Sequence, residues 1–373
     1  MASGHINKRG DKWRARYRGT DGKERSRTFD TKREANSWLS QQTSSIVRGD
    51  WIDPKAGEIK FGEYARGWLD RQTFDKPKTE AETRGLLASR VLPEWQDVSL
   101  NKISYEAVSS WSASLIGVVS SSRTRQSIHL LGRILDDATR TGRLVRHPVR
   151  QVKLPRLRTK RKVVPLTVEQ VEKLADACGG RWGTLVRILA YTGMRWGEVV
   201  ALRPMDFDLK RRRVQVANTL SEVGGHLHET DTKTHRVRSV PLIDELVAEI
   251  EWLIEGEEQD ALLFTWGTHE RPPLSSEFAR TVWRPAKEAV GLDSVRVHDL
   301  RHTCASLLIS KGAPVTVVAR ILGHSKATTT LSIYAHLFEN ETDAWGDKLN
   351  EDVSDTRAAN LRPVEEPPGS SAG

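Results

Sequence analysis

The sequence predicts a mainly α protein with small β-sheets. It reads as an α+β chain with a small N-terminal β-sheet domain, a helical middle domain and a mostly helical C-terminal domain carrying a β-hairpin or small sheet. Three observations carry this reading. At 373 residues the chain is longer than one ordinary core can serve. Helical periodicity dominates from about residue 58 onward. Strand-like alternation is confined to two places, near residues 13–29 and 212–242.

The first domain is expected over 1–55. In "KWRARYRG", Trp13, Ala15 and Tyr17 alternate with Arg14, Arg16 and Arg18, as one strand with an apolar and a cationic face requires. Asp21-Gly22 supplies a turn, "KERSRTF" reads as the return strand, and a helix follows through "TKREANSWLSQQTSSIV". Arg14, Arg16, Arg18, Lys23, Arg25 and Arg27 are candidate nucleic-acid contacts, because a sheet face or ribbon can enter a groove. A solvated hairpin whose basic residues protect its edge fits the same residues.

The second domain is expected over 58–150. Phe61, Tyr64, Ala65, Trp68 and Leu69 fall at helical spacing. So do Ile128, Leu131, Ile134, Leu135 and Ala138, between a serine-rich start and a Thr141-Gly142 stop. Arg123, Arg125 and Arg133 suit a phosphate backbone or a solvated basic face equally well. Residues 151–162 form a basic linker that includes Arg158, Lys160 and Arg161, within a basic stretch 146–162 where Pro148 and Pro155 discourage helix. The third domain, 163–345, opens on Thr167 and Gln170 at capping-box spacing and continues with helices, two strand-like runs around Gly224-Gly225, and more helices from Asp244. Residues 346–373 read as an acidic, disordered tail.

Charge narrows the partners. The formal net charge of +9 favours a polyanion, nucleic acid before membrane. No stretch approaches the roughly 18 apolar residues of a membrane span, and "MASGHINKRG" carries no apolar leader core. Two cysteines, Cys178 and Cys304, have neither metal-ligand nor disulfide-scaffold spacing, which points to a reduced cytoplasm.

The chemistry concentrates in "VRVHDLRHTCASLL". His298 and Arg301 share a helix face although the helix otherwise reads as core. His298 and His302, four apart, resemble a zinc-binding pair. Asp299 in place of Glu, the cation of Arg301 between them and the lack of a third ligand at zincin spacing argue against a metal. Upstream, "YTGMRWGEVVAL" puts Arg195 at a helix start with Glu198 one turn on, and "DTKTHRVRSVPL" puts Lys233 near a hairpin turn. Downstream, "LGHSKATTTLSIYAHL" puts His324 after Gly323 and Tyr334 ten residues beyond.

Taken together, Arg…Lys…His-x-x-Arg…Gly-His…Tyr across 163–345 resembles the catalytic domain of the tyrosine recombinases, the phage integrase family. The first two blocks are similar to that family's arm-binding and core-binding domains. The resemblance implies catalytic roles for Arg195, Lys233, His298, Arg301, His324 and Tyr334, with Glu198 as support. Arg195 and Arg301 are the expected phosphate clamp, since guanidiniums grip non-bridging oxygens bidentately and stay charged. Tyr334 matches the nucleophile that forms a 3′-phosphotyrosine, Lys233 the general acid for the 5′-oxygen, and His298 the residue that exchanges the tyrosine proton. His324 is expected on a non-bridging oxygen. His226, His228, His235 and His302 are expected to be structural, and His336 is unassigned.

Neither metal nor ATP nor any other cofactor is implied, because protein cations stabilise the transition state and the phosphotyrosine conserves the bond energy. The expected function is site-specific integration and excision of a phage or mobile element. The expected partners are double-stranded DNA at core and arm attachment sites, three further copies in a tetramer, a DNA-bending host factor and an excisionase. A resolvase or transposon recombinase of the same chemistry, a DNA-binding regulator and a relaxing topoisomerase are the rival readings.

Overall fold

The computed structural model describes residues 4–49, 51–53, 55–156, 164–231, 237–267, 271–338 and, in the C-terminal segment, 350, 351, 353, 354, 356 and 357. It divides into two compact units at 160/161. The catalytic candidate Lys233 and the basic residues Arg158, Lys160 and Arg161 lie outside the described residues.

The first unit begins with an antiparallel sheet in the order β1 (Gly4–Arg9), β2 (Lys12–Arg18), β3 (Glu24–Phe29). Helix α1 (Lys32–Arg48) starts at the capping box of Thr31 and Glu34 and ends at left-handed Gly49. Register divides the arginines. Trp13 pairs with Phe29, Ala15 with Arg27 and Tyr17 with Arg25, so Arg25 and Arg27 share the face of Trp13, Ala15 and Tyr17. Arg14, Arg16 and Arg18 occupy the other face, where Arg14 donates to Ser26 Oγ. Trp38 of α1 packs edge-on against Tyr17, which is why that face is buried. Arg25 is taken up structurally. It pairs with Asp21 at 2.8 Å and Asp53 at 2.5 Å and lies 4.8 Å from the Trp51 ring. The single arginine face expected from the sequence is therefore two faces.

The rest of this unit is helical: α2 (Phe61–Asp70), α3 (Pro77–Leu86), α4 (Leu92–Trp95), α5 (Tyr105–Leu115) and α6 (Ser121–Arg140). The predicted stripes of α2 and α6 are buried in one core with Trp95, Trp111 and Val149. Arg133 stays on the surface over the Trp68 ring, and Arg125 donates to the Pro155 carbonyl. Arg123, exposed, faces Gln126.

The second unit opens with α7 (Val168–Cys178), capped by Thr167 and Gln170 as expected, then α8 (Gly180–Thr192) and the single turn α9 (Trp196–Val199). Strand order corrects the sequence reading. The run 212–220 is not one strand returning after the glycine turn. It breaks at Ala217 into β5 (Arg213–Val216) and β6 (Asn218–Val223). β5 lies between the two-residue β4 (Phe207–Asp208) and β8 (Arg238–Pro241), whereas β6 pairs only with β7 (His226–Asp231) across Gly224-Gly225. Val214 and Val216 are buried, while no residue of β6 is, so only the first half of the run belongs to the core. Gly197 lets α9 meet β6, since a Cβ there would lie 2.4 Å from the Leu220 carbonyl oxygen.

Helices α10 (Asp244–Ile254), α11 (Ser275–Phe278), α12 (Arg284–Ala289), α13 (Asp299–Ser310), α14 (Val315–Leu322) and α15 (Ala327–Phe338) complete the unit. The main core gathers α7, α8, β5, β8 and α10 around Leu185, Ile188, Val214 and Phe264. The acidic segment falls largely outside the described residues. Its described residues 350, 351, 353, 354, 356 and 357 are helical. Net charge opposes a packed core but not a local helix, whose hydrogen bonds are internal.

Candidate active site

Two left-handed glycines and one buried arginine build the site. Gly193 (φ 65°) ends α8, and a Cβ there would meet Leu322 Cδ2 at 2.5 Å and Cys304 Sγ at 3.1 Å. Gly323 (φ 67°) ends α14 and turns the chain so that His324 follows directly. Arg301, 5% exposed on α13, donates to the carbonyls of Gly193 (2.5 Å) and Leu322 (2.6 Å). Its charge thus sits at the negative ends of two helices, which compensates a burial otherwise costly for a cation. Burial, then the nearby charge of Arg195, still pulls its pKa down to about 10, so it remains a cation at neutral pH.

Arg195 is the N-cap residue of α9, and its guanidinium reaches Glu198 at 2.9 Å. Glu198 is 2% exposed and also holds Arg238 of β8 at 2.6 Å. Burial pushes the Glu198 carboxyl up, but Arg238 and Arg195 outweigh it and the net shift is downward. Among the described residues, three guanidiniums therefore surround one bonded carboxylate. A cluster with that excess of positive charge can attract an anion.

Glu198→Gln is expected to destabilise the fold by about 3 kcal/mol at pH 7, because it leaves buried guanidinium charge uncompensated. Since the folded pKa of Glu198 is depressed, its contribution is complete above the ordinary value of 4.5 and disappears as pH falls through the folded value. Thermal unfolding of the two chains at neutral and acidic pH should show the gap closing in acid.

His298 is the N-cap residue of α13 and His302 stands one turn on, their rings edge-on at 5.5 Å. The partly covered His298 ring is held below its usual pKa by desolvation, then by the charges of His302 and Arg301. His324 faces Thr330, with Nδ1 2.8 Å from Oγ1. Desolvation and the charges of Arg301, Arg195 and Arg238 push it down to about 4, so it is neutral at pH 7. In the tautomer that accepts from Thr330 at Nδ1, the Nε2–H can donate to an anionic oxygen.

Tyr334 is 4% exposed and packs with Ala305, Ile309, Val318 and Leu322. Burial pushes its phenol up to about 12, against a lowering by Arg301. Its Oη lies 2.8 Å from His302 Nδ1.

The structure thus brings together Arg195, Glu198, His298, Arg301, His324 and Tyr334. Sequence reasoning missed two neighbours. His302 was expected to be structural, yet it bonds the tyrosine hydroxyl. Arg238 went unremarked, although alternation offered a signal: it shares a face with Val240, fully buried, while Val237 is exposed. The side chain of His336 lies outside the described residues. Cys304 is core as expected, its thiol pushed up to about 12 by burial.

Comparison with known proteins places the whole chain in a family. Residues 165–341 match the phage integrase family and residues 3–48 the N-terminal domain of phage integrases. The chain is 30% identical over 336 residues to a prophage phiRv2 integrase of Mycobacterium tuberculosis strain H37Rv, covering 87% of this chain and 88% of that protein. It is 26% identical to the integrase of Mycobacterium phage D29, covering 80% and 82%. The fold is similar to that of the Tn1549 transposon integrase, solved with a circular intermediate DNA (TM-score 0.68, 19% identity, 78% of this chain and 99% of that one). It is also similar to λ integrase, solved as a tetramer on a Holliday junction (TM-score 0.55, 16% identity, 87% and 96%). The anion-ready arginines, the flanking histidines and the neighbouring tyrosine thus stand in a chain that belongs to the phage integrase family, the site-specific tyrosine recombinases that act as integrases.

Proposed function

We propose that Arg195 and Arg301 clamp the scissile phosphate of duplex DNA, with His324 donating to a non-bridging oxygen and Tyr334 attacking phosphorus. The observation that carries this reading is the guanidinium cluster around Glu198, beside a tyrosine whose hydroxyl is already held by an imidazole. Attack forms the Tyr334 Oη–P bond and breaks the P–O5′ bond, leaving a 3′-phosphotyrosine and a free 5′-hydroxyl. Lys233 supplies the proton to the departing oxygen. Glu198 and Arg238 position the clamp, since each bonds the other and Glu198 bonds Arg195. The phenolate is a better leaving group than an alkoxide, so a 5′-hydroxyl of a second strand can reverse the step without an external energy source.

The domains 1–55, 58–150 and 163–345 are read as arm-binding, core-binding and catalytic parts, joined by the basic linker 151–162. Arg14, Arg16 and Arg18 offer one cationic face to arm DNA. Arg123 and Arg125 serve core DNA together with the linker residues Arg158, Lys160 and Arg161. Four copies act on two duplexes in the bacterial cytoplasm, aided by a DNA-bending host factor and an excisionase, and the segment from 339 docks on a neighbouring copy. No helix among the described residues is long and apolar enough to cross a membrane.

Trapping covalent protein–DNA adducts on candidate attachment DNA and mapping the cleaved phosphate tests the chemistry. Removing residues 1–55 should leave adduct formation on an isolated core site within a few-fold of the parent while abolishing recombination that needs an arm site. Undiminished recombination would transfer the chain to the resolvase reading.

A further inference from the structure

We propose that His302, rather than His298, takes the Tyr334 proton as the phenol attacks DNA and returns it when the strand is resealed. This rests on the reading of Tyr334 as nucleophile. His302 Nδ1 lies 2.8 Å from Tyr334 Oη, within the range a general base requires. The two rings are 5.6 Å apart and tilted by 58°, so the hydroxyl meets the nitrogen while the ring itself stays in the apolar cluster. His298, an exposed residue, meets the His302 ring edge-on.

The need for a base is strong. Burial holds the phenol near 12, so little phenolate exists at neutral pH and attack must be coupled to proton removal. Imidazole is the side chain whose ordinary titration range suits that exchange.

The step balances as follows. Neutral His302, protonated on Nε2, accepts the phenolic proton on Nδ1. The Tyr334 Oη–P bond forms, the P–O5′ bond breaks, and the 5′-oxygen takes a proton from Lys233. In the reverse step neutral Lys233 takes the proton of the attacking 5′-hydroxyl, the P–O5′ bond forms, the Tyr334 Oη–P bond breaks, and the departing phenolic oxygen recovers its proton from protonated His302.

The test uses the full chain and two DNA substrates. One has the normal 5′-bridging oxygen and the other sulfur in its place, so that the leaving group needs no proton. His302→Asn keeps an acceptor near Nδ1 but cannot take up a proton at neutral pH. It should lower the rate of adduct formation by about 10²- to 10⁴-fold on both substrates, with DNA affinity unchanged. Lys233→Ala should be rescued by sulfur. A His302→Asn rate within threefold of the parent overturns the proposal and leaves the bond as a mere latch. Rescue of that variant by sulfur also overturns it, since His302 would then serve the leaving group. If His302→Asn unfolds early, His302→Gln is read by the same criteria. Tyr334→Phe separates the two claims: an adduct in that variant removes the nucleophile itself, whereas its loss beside an active His302→Asn removes only the role of His302.

Discussion

Replacing Tyr334 with Phe should abolish the covalent protein–DNA adduct while leaving DNA binding within about twofold of the parent. Of the five tyrosines, the other four have ordinary roles available. Tyr64 donates to Asp137 at 2.7 Å, Tyr191 donates to Glu172, and Tyr17 accepts from Trp51. Tyr105 is exposed on a helix of the first unit. Only Tyr334, among the described residues, sets its hydroxyl on an imidazole while feeling the charge of Arg301. Phenylalanine keeps the ring among Ala305, Ile309, Val318 and Leu322, so the cost is one hydrogen bond, about 0.5–1.5 kcal/mol. The fold therefore survives, and a missing adduct reports chemistry rather than collapse. Denaturing gels detect the adduct, mobility shifts the binding and thermal unfolding the stability. A persistent adduct would move the nucleophile to another residue and dissolve the site as described.

Much of this arrangement was legible because it is written in local spacing. The Thr167–Gln170 box, the α2 and α6 stripes and the placement of Arg195 at a helix start are properties of a few consecutive residues. What was illegible depends on distant approach. His302 adjoins Arg301 in sequence, and its pairing with His298 suggested either a metal or a structural residue. Its actual partner arrives 32 residues later on α15. Arg238 lies 40 residues from Glu198, and only the return of β8 to β5 places it there. The misread strands share that cause: alternation continues through Ala217, while the choice of partner changes from β8 to β7. Arg25 shows the same limit within one sheet, since its face follows from register with Tyr17 and not from its own neighbours.

Arg301→Lys should lower the rate of adduct formation at saturating DNA by on the order of a hundredfold or more, and should destabilise the fold as well. The two effects have one origin. The Arg301 fork already spans the carbonyls of Gly193 and Leu322, and each of those nitrogens keeps a second N–H for an anion. A lysine ammonium is a single point with three donors and cannot bridge both helix ends while also presenting a planar fork to phosphate. One buried carbonyl is left unpaired, at a cost of about 1–3 kcal/mol. Arg195→Lys supplies the contrast. Its side chain is 34% exposed and its bonded partner is Glu198, which an ammonium can still satisfy. That variant should lose a comparable factor in rate with a smaller loss of stability. Single-turnover cleavage and thermal unfolding measured on both variants separate clamp from scaffold. If Arg301→Lys cleaves within threefold of the parent, the guanidinium only ties α8 to α14, and the phosphate must be held by other groups.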